Sequence, residues 1–288
     1  MSSLTLLEVL KRSTSYLQSK SIDTARLDAE LLLAHALKTD RLGVYLRHDQ
    51  PMNEEDLAVC RSLMGRRARR VPVAYLLGYK EFMGHSFRVS PAVLVPRPDT
   101  ETLVEVGLEI MRSQSEPGWV LDVGTGSGCI ACSLLMDPET LGWNAVATDR
   151  SWDAIQVARE NGMDLGVPDR LSLVCCDLVE GIGSMDRFDL VTANLPYIPS
   201  LECEALAPEI SRYEPRLALD GGKDGLILVD RLLRQLKGRL RKGSCLLLEV
   251  GYGQAGRVVE RMKGMGFAEV RVALDLAGIE RVVVGQCQ

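Results

Sequence analysis

The chain has 288 residues, of which 46% are hydrophobic and 25% charged, with a formal net charge of −5 at pH 7. That apolar content supports packed cores and argues against disorder, and the length suggests about two domains. The acidic balance gives no reason to expect a general nucleic-acid coat, no apolar run approaches the ~20 residues of a membrane span, and residues 1–18 lack the compact apolar core and small-residue cleavage site of a secretory signal.

Residues 1–71 read as helices without an intervening strand. Leu6, Leu7, Val9, Leu10 and Leu17 recur near helical spacing, residues 24–37 are rich in strong helix formers behind Asp23 as a candidate N-cap, and Asn53 is a candidate cap for a helix running to Arg70. Acids open that last helix (Glu54, Glu55, Asp56) and Arg66, Arg67, Arg69 and Arg70 close it, an order that complements the helix dipole. The basic run therefore reads as a solvated helix end rather than a partner-binding patch. A small helical bundle is expected here.

Residues 72–98 mix glycine and proline with two β-prone pieces, 86–89 and 92–95, and read as a linker carrying a hairpin. From 99 to 288 strands alternate with helices: 119–123, 145–149, 171–175, 188–193 and 244–250, then 268–274 and 279–284 separated by a short loop. Alternation implies a parallel, doubly wound α/β sheet, and the short closing loop implies an antiparallel final pair. The eight cysteines include Cys129 and Cys132 at C-x-x-C spacing, but no second such pair accompanies them, so no metal is expected and free thiols in a reducing cytoplasm are the simplest account.

The first strand of this region runs into Gly124-Thr125-Gly126-Ser127-Gly128, where small residues permit a sharp turn and a close backbone approach to a ligand, followed by a helix N-terminus. Asp149 ends the second strand, where an acid can accept hydrogen bonds from both hydroxyls of a ribose; capping of the next helix is the alternative. Asp177 follows the third strand and is placed to receive an adenine amino group. Asn194-Leu195-Pro196-Tyr197 ends the fourth strand, next to the glycine loop across the sheet. A delocalised amide or amino nitrogen is a poor nucleophile, so an enzyme that alkylates it must hold it in line. The Asn194 side-chain oxygen and a backbone carbonyl of the Leu-Pro step can each accept one N–H, and Tyr197 can stack on the planar group. All three histidines, His35, His48 and His85, precede this half of the chain, and no strong base is evident.

At these residues the chain resembles the HemK/PrmC family. Residues 24–37 are similar to its N-terminal helical domain, Pro72-Val73-Ala74-Tyr75-Leu76-Leu77-Gly78 to its interdomain segment, and Val95-Pro96-Arg97-Pro98-Asp99-Thr100-Glu101 to its most specific signature. The resemblance implies a Rossmann-like, seven-stranded class I methyltransferase sheet, mostly parallel with an antiparallel last strand, behind an N-terminal helical bundle that helps hold a protein substrate. It implies that Gly124, Thr125, Gly126, Ser127, Gly128, Asp149, Asp177, Leu178 and Asn194 bind S-adenosylmethionine. It implies further that Asn194, Leu195, Pro196 and Tyr197 grip the glutamine amide of the Gly-Gly-Gln loop of peptide chain release factors, while Arg97 and Glu101 shape the pocket. For those last two, an ion pair bracing the linker is the alternative.

One position departs from the family motif, usually N-P-P-Y: Leu195 stands for the first proline. The carbonyl survives and Pro196 still biases residue 195 to extended backbone, but the fixed φ of a ring is lost. Since N-L-P-Y also occurs in enzymes that dimethylate adenines of ribosomal RNA, an N6-adenine methyltransferase acting on RNA or DNA is the rival reading. A dinucleotide-dependent oxidoreductase would explain the glycine loop and Asp149 but not residues 194–197. The expectation is a cytoplasmic, S-adenosylmethionine-dependent glutamine methyltransferase that binds neither membrane nor nucleic acid.

Overall fold

Thr5 opens the first helix with a capping box: its hydroxyl accepts from the Glu8 N–H at 3.3 Å while the Glu8 carboxylate accepts from the Thr5 N–H at 2.9 Å. The computed structural model describes residues 4–288. Helix α1 (Leu6–Gln18) buries Leu6, Val9, Leu10 and Leu17 on one face, and α2 (Ala25–Ala36) buries Ala29, Leu32 and Leu33. Asp23 does not cap α2; the cap position belongs to Thr24, whose side chain makes no capping bond. Asp40 caps α3 (Arg41–Leu46), and Asn53 caps α4 (Glu54–Ala68) by accepting from the Asp56 N–H at 2.7 Å. A short α5 (Val73–Leu77) ends at Gly78, whose φ of 83° is the left-handed stop that glycine adopts without strain.

Contacts divide the chain at this point. One unit comprises the chain up to Gly78 together with residues 207–213; the other comprises residues 79–206 and 214–288. The expected hairpin lies earlier than the sequence suggests: β1 (Tyr79–Phe82) pairs antiparallel with β2 (His85–Arg88). Met83 and Gly84 make the turn, both at positive φ (50° and 73°), as a two-residue hairpin requires. Residues 92–95 form no strand; Val93 and Val95 are buried as irregular chain.

The second unit continues with α6 (Glu101–Ser113), β3 (Trp119–Val123), α7 (Cys129–Met136), β4 (Asn144–Asp149), α8 (Trp152–Asp164), β5 (Leu171–Cys175) and β6 (Leu190–Ala193). After α9 (Pro208–Tyr213), which belongs to the first unit, come α10 (Ile227–Leu236), β7 (Cys245–Glu249), α11 (Ala255–Gly264), β8 (Phe267–Leu274) and β9 (Glu280–Cys287). The sheet has the order β5-β4-β3-β6-β7-β9-β8, with β3 to β7 parallel and β9 antiparallel to both of its neighbours. Side chains alternate between two cores: Val120, Leu190 and Leu247 pack on one side, and Leu121, Val191 and Leu246 on the other. Burial on both faces explains why these strands read as continuous apolar runs rather than alternating ones. No helix among the described residues is long and apolar enough to cross a membrane.

The basic run is not simply a solvated helix end. Arg67 is buried, donating to Asp28 at 2.6 Å and to Glu209 of α9 at 2.9 Å, and Arg70 also reaches Glu209, at 3.1 Å. These pairs join α2, α4 and α9 within the first unit. Removing one member strands a buried charge, so Arg67→Met is expected to lower the unfolding free energy of the helical unit by about 3–5 kcal/mol. Urea denaturation of the full chain checks this, and the double variant Arg67→Met/Asp28→Leu should recover much of the loss.

Candidate active site

The chain leaves β3 toward β4 and β5, then returns to the other side of β3 as β6. The carboxyl ends of β3 and β6 therefore flank the crevice where an open α/β sheet binds its ligand. Asp122, fully buried in β3, ties the two together: its Oδ2 accepts from the Thr125 hydroxyl at 2.6 Å and its Oδ1 from the Thr192 hydroxyl of β6 at 2.9 Å. Burial pushes this carboxyl up to about 6, against the two hydroxyls that favour its charged form.

The three glycines of the loop have distinct uses. Gly124 (φ 75°) passes so close to the 194–197 turn that a Cβ would meet Leu195 Cδ2 at 3.2 Å. Gly126 (φ 55°) faces open space, and its N–H donates to Asp149 Oδ2 at 2.9 Å. Gly128 (φ 78°) packs against α8, where a Cβ would meet that of Ala158 at 3.1 Å, and it does not line the cavity. The loop is further held by Asn161, a residue the sequence reading did not single out. Fully buried, Asn161 donates to the carbonyls of Ser127 (2.8 Å) and Arg88 (3.1 Å) and accepts from the Arg88 N–H (2.7 Å).

Asp149 accepts from the Ser151 N–H at 2.9 Å as well as from Gly126, and it is Ser151 that caps α8 through the Ala154 N–H. Asp149 lines the cavity, each of its oxygens accepts one of these N–H groups and so keeps further acceptor capacity, and burial raises its pKa. Leu178 sits at φ 53°, its carbonyl accepting from the Thr148 hydroxyl at 2.8 Å. Asp177 lines the cavity, but one oxygen already accepts from Arg231 at 2.8 Å, so an adenine amino group would share that carboxylate with a guanidinium.

Of the 194–197 turn, Asn194, Leu195 and Pro196 line the cavity. Asn194 Nδ2 donates to the Thr100 hydroxyl at 3.1 Å, which turns Oδ1 away from Thr100. Leu195 is buried in the core on that face of the sheet, so packing holds the backbone where a second proline would have held it covalently. Tyr197 does not line the cavity: its carbonyl accepts from the Gln254 side chain at 2.9 Å, its ring lies against Gly251, and its hydroxyl donates to Glu249 at 3.5 Å. Burial pushes the Tyr197 hydroxyl up to about 12 and the Glu249 carboxyl to about 7. Arg97 lines the cavity and pairs with Glu214, which also accepts from the Val95 N–H at 3.2 Å, so it braces the 92–97 segment. Glu101 does not line the cavity; its carboxylate holds the Met83 N–H at 2.8 Å and so fixes the hairpin turn.

The cavity has a volume of about 480 Å³, walled by Val93, Leu94, Ile130, Leu178 and Leu217 and edged by the polar groups of Thr125, Asp149 and Asn194. An acid at the end of the second strand, a glycine loop open at Gly126 and apolar walls between them suit a nucleoside bearing a small polar extension.

Two family models match the chain: the PrmC N-terminal domain over residues 8–78 and a methyltransferase domain over residues 120–213. The chain is 43% identical over 98% of its length to a release factor glutamine methyltransferase of Geobacter sulfurreducens, of which 96% is covered. It is 40% identical over 93% of its length to that of Bradyrhizobium diazoefficiens, of which 90% is covered. The chain belongs to the release factor glutamine methyltransferase family. A methyltransferase from Pyrococcus furiosus, 18% identical, superposes with a TM-score of 0.52 over 77% of this chain and 98% of the other, which shows a shared fold. The expected class I methyltransferase sheet and helical N-terminal region are thus those of the family, and the enzyme is a methyltransferase.

Asp122 gives a signed pH test. Its carboxyl holds a proton up to about pH 6 in the folded chain, but only to about 3.9 when unfolded. The folded state therefore binds more protons across that window, and stability from this group falls as pH rises through it. Compared with Asp122→Asn, the wild type should lose relative stability between about pH 4 and 6, by at most about 1.4 kcal/mol per pH unit. Denaturant titrations of both proteins across that range measure it.

Proposed function

We propose that the chain transfers a methyl group from S-adenosylmethionine to the side-chain amide nitrogen, N5, of the glutamine in the Gly-Gly-Gln motif of peptide chain release factors. The observation that carries this reading is Asn194: it lies in the same cavity as the glycine loop and Asp149, with its side-chain oxygen turned away from Thr100. Two chemistries thereby meet in one crevice, a nucleoside cradle and an acceptor for a planar N–H. The family's relatives, named as release factor glutamine methyltransferases, support the substrate.

When bound, S-adenosylmethionine supplies an electrophilic methyl on a sulfonium. Gly124, Thr125, Gly126 and Ser127 provide the close approach, Asp149 the acceptors for ribose hydroxyls, and Leu178 with Asp177 the far wall. Gly128 serves by packing the loop's helix on α8. Asn194 Oδ1 accepts one substrate N–H and the Leu195 carbonyl the other, which orients the nitrogen in line with the methyl donor and raises its electron density. Tyr197 supports the turn from beneath through Glu249, and Arg97 with Glu214 shapes the entrance. Glu101 acts at one remove, through the hairpin. The helical unit is the part that holds the release factor.

The test is transfer of labelled methyl from S-adenosylmethionine to a full-length release factor, to the same factor with its motif glutamine changed to alanine, and to small-subunit ribosomal RNA. Label on the intact factor alone, reduced at least about 100-fold by Asn194→Ala, is expected. Label on RNA with none on the factor would make an adenine amino group the substrate instead.

A further inference from the structure

An amide side chain has two ends of nearly equal shape, one a donor and one an acceptor. Only the acceptor end of Asn194 suits a substrate N–H, so something in the protein has to select it. The immediate contact is the Thr100 hydroxyl, which accepts from Asn194 Nδ2 at 3.1 Å. A hydroxyl carries one proton, and it selects the amide's nitrogen only if that proton is committed elsewhere. Thr100 stands at the start of α6 but makes no side-chain capping bond, so the helix does not use it.

Beside Thr100 lies the carboxyl of Glu249, at the end of β7 and 2% exposed. The Tyr197 hydroxyl donates to its Oε1 at 3.5 Å, and Oε2 is buried with no hydrogen-bond partner among the described residues. Once ionised, this carboxyl can only accept, and its unpartnered Oε2 leaves it an acceptor open to the Thr100 hydroxyl beside it. We propose that Glu249 is a positioning residue that decides which end of the Asn194 amide faces the substrate, acting through the Thr100 hydroxyl. Without that acceptor the Thr100 proton can turn to Asn194 Oδ1, the amide can rotate by half a turn, and a donor then meets the substrate's donor. This inference rests on the glutamine-amide reading above.

The groups that face Glu249 give the arrangement a pH dependence. Burial raises its carboxyl to about 7; the hydroxyls of Thr100 and Tyr197 and the charge of Arg281 on β9 act against that rise, while Asp99, ahead of α6, adds to it. Arg281 is itself paired with Asp99 at 3.0 Å and with Asp275 at 3.1 Å. A protonated Glu249 can donate to Thr100, which lifts the constraint on Asn194. Turnover is therefore expected to fall as pH drops through about 7.

The experiment measures kcat and KM for the full chain acting on a release factor, from pH 6 to 9, with S-adenosylmethionine affinity followed separately by calorimetry. Thr100→Val and Glu249→Gln should each lower kcat by about 100-fold while cofactor affinity holds. Thr100→Ser should restore most of what Thr100→Val loses, the double variant should be no worse than the poorer single one, and Glu249→Gln should lack the acidic fall. Losses that multiply in the double variant, or an acidic limb that persists in Glu249→Gln, overturn this inference alone. If the unsubstituted chain does not methylate the factor, the glutamine reading fails and this inference with it.

Discussion

Asp122 commits both carboxylate oxygens to hydroxyls, one in the glycine loop and one in the strand that ends at Asn194. That clamp joins the two elements that flank the crevice. It fixes the loop relative to β6, where Gly124 approaches Leu195 so closely that a Cβ would stand 3.2 Å from Leu195 Cδ2. The clamp is costly, because burial disfavours a charged carboxyl, and the two hydroxyl contacts offset that penalty only in part. The same arrangement couples two functions that sequence presents as separate motifs 70 residues apart, counted from Asp122 to Thr192.

Around this clamp lies a layer of single polar residues, each holding one irregular segment. Asn161 ties the loop to the hairpin, Glu214 the 92–97 segment, Glu101 the hairpin turn, and Glu249 with Thr100 the 194–197 turn. Irregular chain around a ligand cannot satisfy its own backbone groups through a ladder or a helix, so side chains from rigid elements must do it. The family signature at 95–101 becomes intelligible in these terms. Arg97, Asp99, Thr100 and Glu101 point to four different partners, and each partner lies on a different part of the fold.

The sheet was legible because strands buried on both faces carry a strong apolar signal; the seven strands fall within one or two residues of where their runs suggest, apart from the last, which continues to Cys287. The hairpin was not, since Ala92 to Val95 has strand-like composition yet makes no ladder, while Met83 is an unusual residue for a turn at positive φ. Burial of Arg67 was equally hidden: its partners lie on α2 and on α9, far away in sequence. In the site, glycines and the strand-end acids could be placed by pattern alone. Glu249 offered one signal, an acid ending an apolar strand at the ligand-binding edge, whereas nothing local marks Asn161, whose contacts span 34 and 73 residues. Leu195 reads as a loss from sequence, but its burial beside Gly124 gives the turn a different anchor.

In the proposed function, one crevice joins a nucleoside cradle to a grip on a planar side-chain amide. Fragmentation mass spectrometry of a release factor incubated with the enzyme and S-adenosylmethionine is the decisive measurement. A single added methyl on the side-chain nitrogen of the Gly-Gly-Gln glutamine is expected, absent with Asn194→Ala. A methyl on a basic side chain, or one that survives the loss of Asn194, would contradict that function.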